Sequence, residues 1–364
     1  MEKKRDMNFE LLRIIAMILI ICSHYMGHGG IYGNVTRFHF NYYFIEVISA
    51  FTRISVNVYV MITGYYMVTS SMKVKKLFNI WIVVWFYSVL SLLIPIILKD
   101  SMLSKDEIKM ALMPFSSAFY WFPTAYIALY AISPFINKLV RNLTKKQYLI
   151  LISILFALLV VQKTIFNNNS IIDANNGVSF IWCVYLYIVA GYIRLHYTGK
   201  VNKVLCLLTT LIIPFIIVAI RTTTLKNSGE DISKLWDFSN ILNFISTITI
   251  FLFFKELKIK NETCSKIIGK ISPLMFGIYL IHENPFVYQR IYTKILFVEE
   301  YHRNIYLPIH MIVSVIWIFT ICALIEKIRM EIFAIVGKSK ISKKIDKKLD
   351  QINEKFNNVM REQV

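Results

Sequence analysis

The feature that most limits the fold of this chain is the recurrence of apolar runs long enough to cross a lipid bilayer. A helix rises about 1.5 Å per residue, so about 18–20 apolar residues span a hydrocarbon core of about 30 Å. Ten spans are placed along the 364 residues, near 8–27, 45–69, 79–98, 119–136, 147–163, 179–194, 204–220, 239–255, 272–288 and 306–326. Hydrophobic residues make up 56% of the chain, which excludes a soluble globule. The expectation is an all-α, polytopic membrane protein, with a ten-helix domain over 1–326 and a basic tail over 327–364.

The first run follows Lys3, Lys4 and Arg5, as a signal peptide would. No small-residue cleavage site follows it and many more spans come after, so it reads as a retained anchor.

A net charge of +19 raises the question of a nucleic-acid partner, and the distribution of the charge answers it. With the N-terminus in the cytoplasm, 28 of the 41 Lys and Arg fall in inner segments and the tail, and 11 fall in outer loops. Arg13 and Arg53 lie within spans. This asymmetry is the positive-inside pattern and predicts cytoplasmic termini in a multi-pass cell membrane protein. The charge is topological, and nucleic acid is not needed to explain it.

The tail carries Ile341, Ile345, Leu349, Ile352 and Phe356 at steps of 4, 4, 3 and 4, with Lys343, Lys344, Lys347 and Lys348 between them. That pattern predicts a basic amphipathic helix suited to an anionic inner leaflet, with a short coiled coil as the alternative. Two outer loops are polar: 163–178, with Asn167, Asn168, Asn169, Asn175, Asn176 and Asp173, and 221–238, with Thr222, Thr223, Thr224, Glu230 and Asp231. They suit a carbohydrate-like partner or plain solvation. The five cysteines are far apart, without CxxC or metal-ligand spacing, and read as small hydrophobes. No metal site is expected, and no GxGxxG or P-loop is present.

Ionisable groups inside spans are expensive, and they concentrate the functional question. Arg13 and His24 share the first span, eleven residues apart. Eleven steps of 100° come to about 20° past three turns, so both side chains leave one face, about 16 Å apart along the axis. Arg53 lies in the second span, Trp121 and Tyr126 open the fourth, and His282–Glu283 lies in the ninth. From the span edges, His24 sits roughly 24 Å above the inner face, Tyr126 roughly 20, Arg53 roughly 18 and His282 roughly 15, with Arg13 near the inner face. The competing structural accounts are snorkelling for Arg13, an aromatic belt for Trp121 and Tyr126, and a buried hydrogen-bonded pair for His282–Glu283. A paired-His haem site ranks below these, because the remaining helices supply no second pair of histidines.

Arg13-(x)10-His24, the Arg53…Ile62-Thr63-Gly64-Tyr65 stretch, Trp121-Phe-Pro with Pro134 downstream, and Tyr279-Leu-Ile-His282 occur in that order over residues 8–326. This arrangement resembles the membrane-bound acyltransferase-3 family, which acylates sugars of bacterial surface polysaccharides, in its short branch without an appended extracytoplasmic domain. Thr63 stands where the family commonly has Ser, and Asn57 where this branch often has Pro. The resemblance implies acetyl-CoA approaching from the cytoplasm as a co-substrate rather than a permanently bound cofactor. It also implies acylation of a surface polysaccharide or lipid-linked saccharide on the outer side, with the family's Arg and His at Arg13 and His24.

The residues suit that chemistry. A guanidinium at the inner mouth fits phosphate recognition. The pantetheine arm is of the same order as the ~16 Å from Arg13 to His24. A histidine can remove the proton from an attacking sugar hydroxyl or carry the acyl group itself. Arg53, Trp121, Tyr126, His282 and Glu283 are the candidates for placing the sugar, steadying the oxyanion or orienting His24. The alternative is a non-enzymatic flippase or export component for lipid-linked saccharides, which would also carry polar intramembrane residues.

Overall fold

The computed structural model describes residues 5–99, 103–117, 119–165 and 175–361. Asn167, Asn168, Asn169 and Asp173 of the predicted outer loop lie outside them. The described residues are helical and contain no strand. Seventeen α-helices follow in order. The first nine are α1 (Met7–His28), α2 (Phe40–Thr52), α3 (Ser55–Met67), α4 (Val74–Leu90), α5 (Leu93–Leu98), α6 (Lys105–Leu112), α7 (Trp121–Arg141), α8 (Lys145–Phe156) and α9 (Gln162–Ile165). The rest are α10 (Phe180–His196), α11 (Lys203–Ser228), α12 (Ile241–Glu256), α13 (Glu262–Ile271), α14 (Met275–His282), α15 (Pro285–Gln289), α16 (Leu307–Val336) and α17 (Lys340–Arg361).

Among the described residues, eight helical stretches are long and apolar enough to cross a membrane. Along α16, Ile309, Ile312, Val313 and Ile316 stand about 60% exposed with no protein over them. In water such a face is an association hazard; in lipid tails it is ordinary solvent contact. The other two predicted spans became α7 and α10, which are not among the eight. α10 has only 17 residues, and ten of them, including Trp182, Tyr185 and Tyr187, are buried against neighbouring helices. Close approach to α3 depends on Gly64, where a Cβ would come within 2.7 Å of the Tyr187 carbonyl oxygen. That contact gives the Thr63-Gly64-Tyr65 stretch a packing reason.

Several predicted helices change where the backbone ladder breaks. The single span 45–69 is two helices, extended back to Phe40 and interrupted at Arg53–Ile54. Hydroxyls stabilise the break: Thr52 donates to the Ser49 carbonyl at 2.8 Å and Ser55 to the Thr52 carbonyl at 2.6 Å. In α7, Pro134 cannot bond the Tyr130 carbonyl, and the Ser133 hydroxyl takes that acceptor at 2.8 Å. The predicted 272–288 helix opens with a 3₁₀ turn at Ser272–Leu274 and stops at His282. Pro285 disfavours helical backbone at Asn284, whose side chain caps α15 through the Phe286 amide. The 221–238 loop is also shorter than predicted. α11 runs to Ser228 and ends at the left-handed Gly229, so Thr222 and Thr224 are helical and bond the carbonyls of Val218 and Ile220.

The tail forms a 22-residue helix and docks on the start of α4. Asp346 pairs with Lys75 at 2.8 Å, and the Asn353 side-chain oxygen Oδ1 accepts from the Val74 backbone amide at 3.0 Å. Its first apolar residue, Ile341, remains 74% exposed. All five cysteines are free.

Candidate active site

Helix α1 runs unbroken from Met7 to His28, so the Arg13–His24 register read from the sequence is retained. It also presents His28, one turn beyond His24 on the same face. The end of α14 meets this face. His282 is its last residue and Glu283 its C-cap, and both point at α1 because the Asn284-Pro285 turn ends the helix there.

The hydrogen bonds assign the protons. His282 Nδ1 lies 2.6 Å from the Ile278 carbonyl oxygen, which can only accept, so Nδ1 carries the ring proton. With one proton on its ring, His282 presents Nε2 as an acceptor. His24 Nδ1 lies 3.0 Å from that atom and 2.9 Å from Glu283 Oε2, so it donates to both. In its neutral form His24 then carries its lone pair on Nε2. Glu283 Oε2 also receives His28 Nε2 at 2.9 Å, and the His28 ring stacks on Tyr288 at 3.9 Å between centroids. His282 is fully buried. The ligand atoms of His24, His28 and Glu283 lie within 4.8 Å of one another, a spacing a divalent cation would also accept.

Two cavities lie in line along α1 beside this cluster, on the side toward the start of the helix. One, of about 210 Å³, is lined by Ser23, His24, Arg53, Trp121 and Phe238 among others. The other, of about 350 Å³, lies toward the start of α1, with Arg13, Tyr59, Thr63, Lys76 and Tyr126 in its walls. Ile20, Phe122 and Tyr279 line both, and so stand at the partition between them.

The cationic groups differ in their bonding. Arg13 pairs with Glu10 at 2.7 Å, and its backbone carbonyl accepts from Tyr59 at 2.7 Å, so the guanidinium is held at the cavity wall. Lys76 lies 5.0 Å from the centroid of Tyr130. Arg53 sits at the α2–α3 break, against the rings of Trp236 at 5.3 Å and Phe238 at 5.4 Å. Its Nε is buried without a hydrogen-bond partner among the described residues.

All seven candidates from the sequence thus gather in one region. His24, His282 and Glu283 are in direct contact; Arg53 and Trp121 share the His24 cavity; Arg13 and Tyr126 share the adjoining one. Sequence reasoning missed His28, Lys76 and Trp236. His28 was legible from its one-turn spacing to His24, and Lys76 was hidden among the topological lysines. Trp236 lies far from Arg53 in sequence and gave no signal.

A family model described as an acyltransferase domain, acyltransferase-3, matches residues 7–327. No curated protein and no solved structure matches the chain.

Proposed function

We propose, from the premise that the chain belongs to the acyltransferase-3 family, that it transfers an acetyl group from cytoplasmic acetyl-CoA to a hydroxyl of an extracytoplasmic or lipid-linked saccharide. Membership makes it an acyltransferase, and its apolar helices make it a multi-pass membrane protein. The donor, the acceptor and the residue roles are our reading. That reading rests chiefly on one observation: a cationic cavity and a histidine cavity lie end to end along α1 and share Ile20, Phe122 and Tyr279 in their walls.

Acetyl-CoA is too polar to cross the bilayer. In this reading its phosphates stay at the mouth, near Arg13 and Lys76, while the arm runs up the larger cavity past Tyr126. The span from Arg13 to His24, about 16 Å on a continuous helix, suits that arm. The thioester then reaches the partition from one side and the acceptor hydroxyl from the other, with Arg53 and Trp121 around it. His24 Nε2 holds the free lone pair and takes the hydroxyl proton, while Glu283 and His282 hold the ring through Nδ1. The same nitrogen would serve an acyl-histidine relay. Radiolabelled acetyl-CoA without acceptor separates the two, since only the relay leaves label on protein. The charge asymmetry of the loops supports cytoplasmic termini and an extracytoplasmic acceptor side in a bacterial plasma membrane.

The test is ester-bound acetate on the surface polysaccharide, released by mild alkali. Loss of the gene should remove the acetate and leave polymer yield intact. Disappearance of the polymer itself would favour the export reading.

A further inference from the structure

Tyr120 and Tyr279 stand with ring centroids 6.4 Å apart and differ in one respect. The Tyr120 hydroxyl is fully used: it donates to the Leu280 carbonyl at 2.8 Å and accepts from the Asn284 side-chain amide at 2.7 Å. The Tyr279 hydroxyl is buried and has no hydrogen-bond partner among the described residues, and the whole side chain is only 5% exposed. A buried donor without an acceptor is costly, so such groups are rare unless a bound group satisfies them. Tyr42, Tyr185, Tyr292, Ser239, Ser246 and Ser314 also carry unpartnered hydroxyls and line neither cavity, and Ser272 lines the larger one alone. Tyr279 lines both.

The position of that hydroxyl points to its acceptor. Tyr279 is one turn before His282 and Glu283 on the same stretch, and its ring centroid lies 6.4 Å from that of His24 and 5.9 Å from that of Phe122. A carbonyl delivered through the larger cavity toward His24 would present its oxygen beside the partition. Arg53 is on the far side, in the His24 cavity alone, and Arg13 is about 16 Å away along α1. Among the described residues, no other one with a side-chain hydroxyl lines both cavities.

We propose that Tyr279 is a catalytic residue that donates its hydroxyl hydrogen bond to the acyl carbonyl oxygen as negative charge develops there. The proposal rests on the acyl-transfer reading above. In the step, the acceptor hydroxyl oxygen forms a bond to the thioester carbon as His24 Nε2 removes its proton. The carbonyl π pair moves onto oxygen, held by the Tyr279 O–H. Collapse re-forms the carbonyl and breaks the carbon–sulfur bond, and the departing thiolate takes the proton back from His24. Tyr279 keeps its proton throughout and is unchanged at the end.

The experiment compares wild type, Tyr279→Phe and His24→Ala in membranes supplied with radiolabelled acetyl-CoA, following label transferred to endogenous saccharide. Thermal stability is measured on each purified protein. Removing one preorganised oxyanion donor costs about 10²–10³-fold in rate in enzymes that use it. Tyr279→Phe should lose transfer by that factor at saturating acetyl-CoA, with half-saturation unchanged and a melting temperature equal to or above that of wild type. The thermal readout separates catalysis from structure: a hydroxyl needed for packing would lower the melting temperature when removed, whereas removing an unpartnered one would not. Transfer within about threefold of wild type, or a loss of rate accompanied by lower thermal stability, overturns the role of Tyr279 while leaving acyl transfer standing. Wild-type membranes that label no saccharide overturn the acyl-transfer reading and this proposal together.

Discussion

Two guanidinium groups lie against the same indole ring. Arg221 sits 5.1 Å from the centroid of Trp236 and Arg53 sits 5.3 Å from it. Arg221 is closed: it bonds Asp231 through two parallel contacts of 2.8 Å each and also pairs with Glu46, with its side chain 11% exposed. Arg53 is open, with no ion pair among the described residues and a buried, unpartnered Nε, and it faces the His24 cavity. A charge within a membrane protein is expensive, and it is tolerated where partners satisfy it or where a ligand does. The two arginines illustrate the two cases. The histidine cluster follows the same division, because every nitrogen of His282 is engaged while His24 keeps one free. Unused bonding capacity at a cavity wall, rather than ionisable character alone, marks the residues to which we assign chemistry.

The largest expected effect tests the open side of this comparison. His24→Gln should lower acyl transfer by about 10²–10⁴-fold, because an amide bonds like an imidazole but cannot accept the proton. Glu283 and His282 would retain a donor in the amide, so the protein should insert and melt as wild type does. Surface acetate assayed after mild alkali, at matched expression, provides the measurement. Near-normal acetate would mean that the free nitrogen is incidental and His24 is a buried structural histidine.

The next effect sets the two arginines against each other. Arg221→Ala leaves Glu46 buried and unpaired, so stability should fall by about 3–5 kcal/mol, the cost of breaking a buried pair from one side. The surviving folded molecules should transfer at the normal rate. Arg53→Ala removes no ion pair and should leave the melting temperature near that of wild type. It should cost about tenfold to a hundredfold in transfer, the worth of a hydrogen bond to a charged group. Melting in detergent and label transfer in membranes measure the two outcomes. The comparison fails if Arg53→Ala unfolds the protein, or if Arg221→Ala melts normally and is inactive.

Much of the open half was legible in the sequence, and little of the closed half was. Arg13 and His24 lie on one helix, and helical geometry fixes their relation without tertiary information. His282–Glu283 was legible as an ionisable pair in an apolar run, although the Asn284-Pro285 turn that ends its helix was read through. Apolar composition located the spans but not the interruptions within them, because the Arg53–Ile54 break is stabilised by neighbouring hydroxyls rather than by Gly or Pro. Arg221 and Glu46 are 175 residues apart, on α11 and α2, and nothing local to either announces the other. Arg221 therefore read as an outer-loop charge, when it is in fact a buried helical residue. The partition was beyond sequence reasoning for the same reason: Ile20, Phe122 and Tyr279 come from three distant helices.

The smallest expected effect concerns the cluster itself, and the expectation is no change. His24 Nδ1, His28 Nε2 and Glu283 Oε2 are close enough together to ligate a divalent cation, and two imidazoles with one carboxylate form a known zinc donor set. Against that stands the proton assignment. His282 Nδ1 donates to a backbone carbonyl, so its Nε2 must accept, and the group facing it is His24 Nδ1. A metal there would have to displace that proton and break the hydrogen bonds it makes. Glu283 Oε2 accepts from both His24 and His28 at 2.9 Å, a charge-assisted hydrogen-bonding length, so both contacts are satisfied without an ion. Prolonged treatment with a strong chelator should therefore leave transfer within about twofold of the untreated enzyme. Added zinc should inhibit it, by displacing the Nδ1 proton and withdrawing His24 from the geometry it needs. If chelation abolishes transfer and zinc restores it, the cluster is a metal centre, the base is a metal-bound group rather than His24 Nε2, and His24 belongs with Arg221 among the residues whose bonding is complete.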